Sequence, residues 1–129
     1  MGCETVRRLC LVFVVLTLLA GCSSGPSPAS ASTKFCAAFV KVKAAKASQI
    51  PKTTGDAFVA AAADMRAYAP AAIKAPTSTY ADLLENVGQS AQAGGMDEPS
   101  LQQALATGMA DKASDIAKVA VWVSKNCPR

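Results

Sequence analysis

The sequence predicts an all-α fold, a small antiparallel bundle of four main helices and one short helix. No segment alternates apolar and polar residues over six positions with β-branched enrichment, as a half-buried strand would. Apolar residues instead recur at helical spacing after residue 33. Alanine, which is depleted in strands, accounts for 27 of the 129 residues.

The first helix is predicted over residues 33–48. Ser32 is a candidate N-cap, and Pro51 prevents the helix from continuing far beyond its end. Its apolar residues recur at steps of four and three, so they share one face. That face contains Phe35, Phe39 and Val42, with Cys36 and Val40 beside it.

The second and third helices are predicted over residues 55–69 and 78–92. Pro70 ends the second helix, a proline-bounded turn follows at residues 70–76, and a Gly-Gly pair at 94–95 ends the third helix. The predicted inward residues are Phe58, Ala62, Met65 and Ala69 in the second helix and Tyr80, Leu83, Leu84 and Val87 in the third.

A short fourth helix is predicted after Asp97, which can accept a hydrogen bond at the helix N-terminus. Leu101 and Leu105 point inward, and a Thr-Gly pair at 107–108 interrupts the helix. The last helix is predicted over residues 109–126. Its inward residues form a seam at alternating steps of four and three: Met109, Ala113, Ile116, Ala120, Val123 and Cys127.

Residues 1–21 have the pattern of a secretory signal peptide. Arg7 and Arg8 precede twelve apolar residues at 9–20, a run too short to cross a membrane permanently. The LAGC motif that ends at Cys22 resembles the lipobox of bacterial lipoproteins. The resemblance implies cleavage before Cys22, a diacylglyceryl thioether on its sulfur and acylation of its new amine. The domain would then lie on the extracytoplasmic side of a cell membrane. The alternative is an ordinary cleaved signal with Cys22 as a free thiol.

Residues 22–33 are predicted to be the lipidated cysteine and a flexible linker, because the linker contains only Ser, Gly, Pro, Ala and Thr. The folded domain is therefore predicted over residues 34–129. Two of the five cysteines, Cys36 and Cys127, then remain after processing. The oxidising compartment of an exported protein favours their pairing as a disulfide. The alternative is two buried free thiols. Such a disulfide would require the first and last helices to lie side by side and antiparallel.

Three short motifs resemble small secreted and lipid-anchored helical proteins of actinobacteria. They are KFC at residues 34–36, APAAI at 69–73 and VWVSKNC at 121–127, where Trp122 stands in place of the more usual tyrosine. The resemblance implies a helical domain with one disulfide and implies no activity.

The basic residues are unevenly distributed along the chain. Residues 22–55 contain five basic residues and no acidic one, whereas residues 56–129 contain six basic and eight acidic residues. One interpretation is a contact with anionic lipid headgroups, and the other is an ordinary solvated helix face. The five are Lys34, Lys41, Lys43, Lys46 and Lys52.

The composition argues against catalysis. The chain has no histidine, its serines have no evident base partner, and no phosphate loop or zinc spacing occurs. We therefore expect no catalytic, cofactor or metal site, and the modest net charge of +4 does not indicate nucleic-acid binding. The leading hypothesis is a non-enzymatic lipoprotein that binds a protein, lipid or wall partner in the envelope. The alternative is a carrier of a small apolar ligand, such as a lipid or haem.

Overall fold

The computed structural model describes residues 28–46 and 50–129. Within these ranges every regular element is helical, which confirms the all-α class. The elements are α1 (Pro28–Lys46), α2 (Pro51–Tyr68), a 3-10 turn (Ala71–Ile73), α3 (Lys74–Gln92), α4 (Glu98–Asp111) and α5 (Ala113–Asn126).

The first helix begins earlier than predicted. α1 starts at Pro28, so residues 28–33 of the predicted linker are helical. Proline is well suited to the first helical position because its missing N–H would have no intrahelical partner there. The remaining linker residues and the predicted signal peptide, including Cys22, lie outside the described residues.

Proline also explains why α2 and α3 begin about four residues before their predicted starts. α2 begins at Pro51, and α3 begins at Lys74 with Pro76 in its first turn. The amides of a first turn have no partner within the helix, so proline removes no hydrogen bond at these positions. The predicted turn at 70–76 is shorter and contains the 3-10 turn.

The prediction that a Thr-Gly pair interrupts the fourth helix was wrong. α4 continues through Gly108 to Asp111, and α5 begins at Ala113, so these two helices have 14 residues each. A Cβ atom at Gly108 would overlap Cδ1 of Leu83 in α3. The glycine therefore lets α4 approach α3 closely, and neither helix is the short one that was predicted.

The core lies between α1, α2 and α3 and extends to α4 and α5. Most residues predicted to point inward are buried, and the least exposed large side chains are Phe35, Phe58, Met65 and Leu84. Val40, predicted to lie beside the inward face of the first helix, has 61% of its surface exposed. Leu101 and Leu105 are buried as predicted, and Asp97 caps α4 by accepting a hydrogen bond from the Ser100 amide at 2.9 Å.

α2 and α3 form the most extensive helix pair. Their backbones meet at two glycines, since a Cβ atom at Gly55 would lie 2.6 Å from the carbonyl oxygen of Gly88. A Cβ atom at Gly88 would lie 2.8 Å from the carbonyl oxygen of Gly55. Only glycine permits this approach on both sides.

Farther along the same pair, Arg66 of α2 binds two carboxylates of α3. Its guanidinium contacts Asp82 at 2.5 Å and Glu85 at 2.6 Å. Hydrogen bonds to these carboxylates, first to Asp82 and then to Glu85, raise the pKa of Arg66.

α5 packs mainly against α3, with a seam that differs from the predicted one. Ala113 and Ala120 are exposed, whereas Val119 is 1% exposed and Ile116 and Val123 are partly buried. Rotating the helix in this way buries branched side chains in place of alanine, and the larger apolar area removed from water stabilises that arrangement.

Candidate functional site

The disulfide joins α1 to the end of α5. The Cys36 and Cys127 sulfurs are 2.04 Å apart and their Cα atoms 5.5 Å apart, which confirms the predicted pairing. Beside it, the Phe35 ring meets the Trp122 ring edge to face, with 5.4 Å between centroids. The C-terminal end of α5 is therefore fixed against the middle of α1.

The five lysines of the sequence prediction have different neighbours. Lys34 lies over the Tyr68 ring, its Nζ 4.7 Å from the centroid. Lys41 pairs with Asp64 at 3.4 Å, and Lys52 pairs with Asp56 at 3.8 Å.

The other two lysines differ in their contacts. Lys43 is exposed to solvent. Lys46 reaches the Met109 sulfur at 3.9 Å, and burial lowers the pKa of its ammonium group. Two of the five lysines thus contact α2 from α1, one pairs within α2 and one contacts α4, and a contact of this set with anionic lipid stays a prediction.

A groove runs between α5 and the 3-10 turn, with a volume of about 460 Å³. One wall is formed by Ala72 and Ile73, and the other by side chains of α5. The α5 wall contains Ala117, Lys118, Val121, Trp122, Lys125 and Asn126.

Four of these side chains make an amphipathic stripe on α5, which we call the α5 stripe: Lys118, Val121, Trp122 and Lys125. They stand at positions i, i+3, i+4 and i+7, which share one side of a helix. Val121 is 52% exposed and Trp122 is partly buried. An apolar pair is therefore flanked by an ammonium group about one turn away on each side.

The charges of the α5 stripe are only partly neutralised. Lys118 pairs with Asp115, one turn earlier, at 3.4 Å, and both side chains remain solvent-exposed. Lys125 has no ion-pair partner among the described residues. Residues 112–129 contain four basic residues and one acidic residue, although residues 56–129 as a whole are net acidic.

Further grooves lie elsewhere on the surface of the described residues, and two of them involve α1. One, of about 440 Å³, runs beside the disulfide and is lined by Cys36, Ala37, Val40 and Pro128 among others. The other, of about 300 Å³, lies between Lys46 of α1 and the side of α4 that carries Leu101, Leu105 and Met109.

The described residues contain no cluster of carboxylate or thiol groups arranged to hold a metal ion. Among the same residues, no helix is both long and apolar enough to cross a membrane. Comparison with protein-family models, curated proteins and solved structures found no match to this chain.

The sequence analysis did not identify the α5 stripe. The spacing of Lys118, the Val-Trp pair and Lys125 was a usable signal. It was missed because the predicted seam placed Ala120 on the buried face of α5, where the structure instead has Val119.

Proposed function

We propose that this protein is a lipid-anchored lipoprotein of the cell envelope, with a non-enzymatic helical domain on the extracytoplasmic side that binds an envelope partner. The anchor is Cys22, acylated after removal of residues 1–21. The partner is a protein, a lipid or a wall component, and the domain presents its surface grooves to it.

The observation that carries this proposal is the Cys36–Cys127 disulfide. Disulfides persist in oxidising compartments and are rare in the cytosol, so this pairing supports export. It also uses the two cysteines that lie inside the helical domain. Cys22, in its lipobox-like motif, is then the cysteine available for acylation in the mature chain.

We further propose that the helices form an antiparallel up-and-down bundle. Support comes from contacts whose order reverses between neighbouring helices. Lys34 contacts Tyr68, Lys41 contacts Asp64, and Thr54 donates to the Ala45 carbonyl at 3.1 Å, so residue numbers rise in α1 as they fall in α2. α2 and α3 show the same reversal, since Gln92 bonds to Asp56 whereas Asp82 binds Arg66.

The test of the anchor is the mass of the mature amino terminus. The full chain is expressed in a bacterium, purified from detergent-solubilised membranes and digested. We expect an N-terminal peptide that begins at Cys22 and carries the mass of a diacylglyceryl group with or without an amide-linked acyl chain. Protease added to cells stripped of their wall should digest the domain without lysis of the cells.

The matched control is Cys22→Ser, which removes the thiol and leaves the apolar run intact. This variant should gain no acyl mass and should retain its leader. A wild-type chain found dissolved in the medium without acyl mass would contradict the anchor. The carrier alternative predicts a small molecule retained by the wild-type protein in native mass spectrometry.

A further inference from the structure

We propose that the α5 stripe rests on the anionic lipid headgroups of the membrane that holds the anchor, so that the domain contacts this membrane through α5. This inference builds on the proposed function because it uses the position of Cys22. It gives the domain a defined face toward the membrane.

The side chains of the stripe suit a membrane–water interface. Tryptophan is enriched at such interfaces because its ring is apolar and its N–H is polar, and Trp122 is the only tryptophan of the chain. Val121 extends the apolar surface outward, with 52% of its area exposed. A single contact with headgroups would cover both residues and the shallow groove beside them.

The charges of the stripe select an anionic partner. Lys118 and Lys125 flank the apolar pair, and their ammonium groups can remain in the phosphate layer while the apolar stems lie deeper. Asp115 is the one acidic residue in residues 112–129, and it neutralises part of the charge of Lys118. Lys125 keeps its full charge for a headgroup phosphate.

The covalent geometry brings this face within reach of the anchor. Five residues lie between Cys22 and Pro28, so the Cα atoms of these two residues are at most about 20 Å apart. From Pro28 to Cys36 the helix rises about 12 Å. The disulfide then places Cys127, two residues after Lys125, 5.5 Å from Cys36 between Cα atoms. Together these three distances place the C-terminal end of α5 at most about 40 Å from the acylated Cys22. This end can therefore reach the headgroups without unfolding of the domain.

The experiment measures binding of the mature chain, starting at residue 22 and carrying Cys22→Ser, to vesicles at low salt. One set contains phosphatidylcholine alone, and the other contains an equal amount of phosphatidylglycerol. We expect at least tenfold stronger partition into the anionic vesicles. Brominated acyl chains should quench Trp122 emission in the anionic vesicles only.

Two double variants locate the contact. Lys118→Gln with Lys125→Gln should lower the partition about 10- to 30-fold, because the two lysines contribute similar shares of the attraction to the anionic surface. Lys43→Gln with Lys52→Gln removes the same charge from the region that the sequence analysis favoured, and it should leave the partition nearly unchanged. Far-UV circular dichroism should show the same helix content in both.

Three results would overturn the inference. They are equal partition into neutral and anionic vesicles, an equal loss in the two double variants, and anionic binding without quenching of Trp122. Absence of binding to either vesicle would also overturn it and would favour a protein partner for this face. Because the chain in this assay carries no acyl group, its outcome is independent of the mass test of the anchor.

Discussion

The α2–α3 pair and α5 are held in the fold in different ways. Six residues of α2 and seven of α3 are buried, and the backbones of the two helices meet at Gly55 and Gly88. In α5 only Val119 is buried among the described residues, although the helix has 14 residues. Its end is instead joined covalently to α1 by the disulfide.

This difference distinguishes α2 and α3, which form much of the core, from α5, which lies largely at the surface. A helix buried on one side and interlocked with its neighbour leaves few apolar groups for other contacts. α5 is fixed at its end, so it can keep Val121 and Trp122 near solvent without detaching from the domain. The disulfide thus supplements the limited packing of a helix that has one buried residue.

The largest expected effect is that of the disulfide. Cys36→Ala combined with Cys127→Ala should lower the free energy of unfolding by about 4–5 kcal/mol, because the bond closes a loop of about 90 residues in the unfolded chain. Urea unfolding of the mature chain measures it. Trp122 emission should change at a lower urea concentration than far-UV circular dichroism, since α5 has no covalent attachment in this variant and should detach before α2 and α3 separate.

In the oxidised wild-type protein the two probes should change together. If they also coincide in the double variant, α5 is held by packing as firmly as α2 and α3, and the contrast between the two regions would be wrong.

The next effect tests the backbone contact in α2–α3. Glycine to alanine within a helix usually stabilises by about 0.5–1 kcal/mol. Gly55→Ala should instead destabilise by about 1–3 kcal/mol, because the new Cβ would lie 2.6 Å from a backbone oxygen that cannot move aside alone. The midpoint of urea unfolding measures the change.

Gly95→Ala is the matched control. A Cβ atom at Gly95 would be 3.8 Å from its nearest neighbour, the Ser90 carbonyl oxygen, and this glycine is not in the left-handed region. Its substitution should change the free energy of unfolding by less than about 0.5 kcal/mol. An equal effect at both sites would show that the α2–α3 contact tolerates a methyl group.

These glycines also show what the sequence could reveal about the fold. Local rules predicted the end of α2 before Pro70 and the start of α4 at Asp97, because proline and carboxylate caps act on their own helix. Gly108 was predicted to interrupt the fourth helix. In the local sequence, a glycine that lets α4 approach Leu83 cannot be distinguished from a glycine that ends a helix. Its role depends on a neighbour 25 positions away in the chain, which periodicity does not register.

The candidate site was predicted less completely than the fold. The disulfide could be predicted because the predicted folded domain, residues 34–129, contains two cysteines. The lysine-rich region was predicted by counting charge, but Lys34 and Lys41 contact Tyr68 and Asp64 of another helix, which no local pattern indicates. The α5 stripe became visible only once Val119 was found on the buried side.

A smaller effect concerns the ion pairs between α2 and α3. Arg66→Gln should destabilise by up to about 1 kcal/mol, because two carboxylates of α3 lose their partner at a site that solvent still screens. Lys52→Gln is the control, since its pair with Asp56 lies within α2 and is long, at 3.8 Å. Urea unfolding at low salt and in 1 M salt should show an Arg66 effect that shrinks with salt, and an unchanged difference would contradict the electrostatic explanation.

The smallest effect is the pH dependence of the α4 cap. Hydrogen bonds from the hydroxyl and the amide of Ser100 lower the pKa of the Asp97 carboxyl. Because the folded pKa is below the unfolded value, the contribution of Asp97 to stability is complete above the unfolded pKa, which is about 3.9. It is lost as the pH falls through the folded pKa.

Asp97→Asn keeps an acceptor oxygen but does not titrate, so wild type should lose more thermal stability than this variant between neutral pH and strong acid. Asp97→Ala should be less stable than wild type at neutral pH. Thermal melts followed by circular dichroism check both variants, and parallel pH profiles for wild type and Asp97→Asn would show that the charge of the cap contributes nothing. The N-terminus of α5 has no side-chain cap hydrogen bond, so this acid sensitivity belongs to α4.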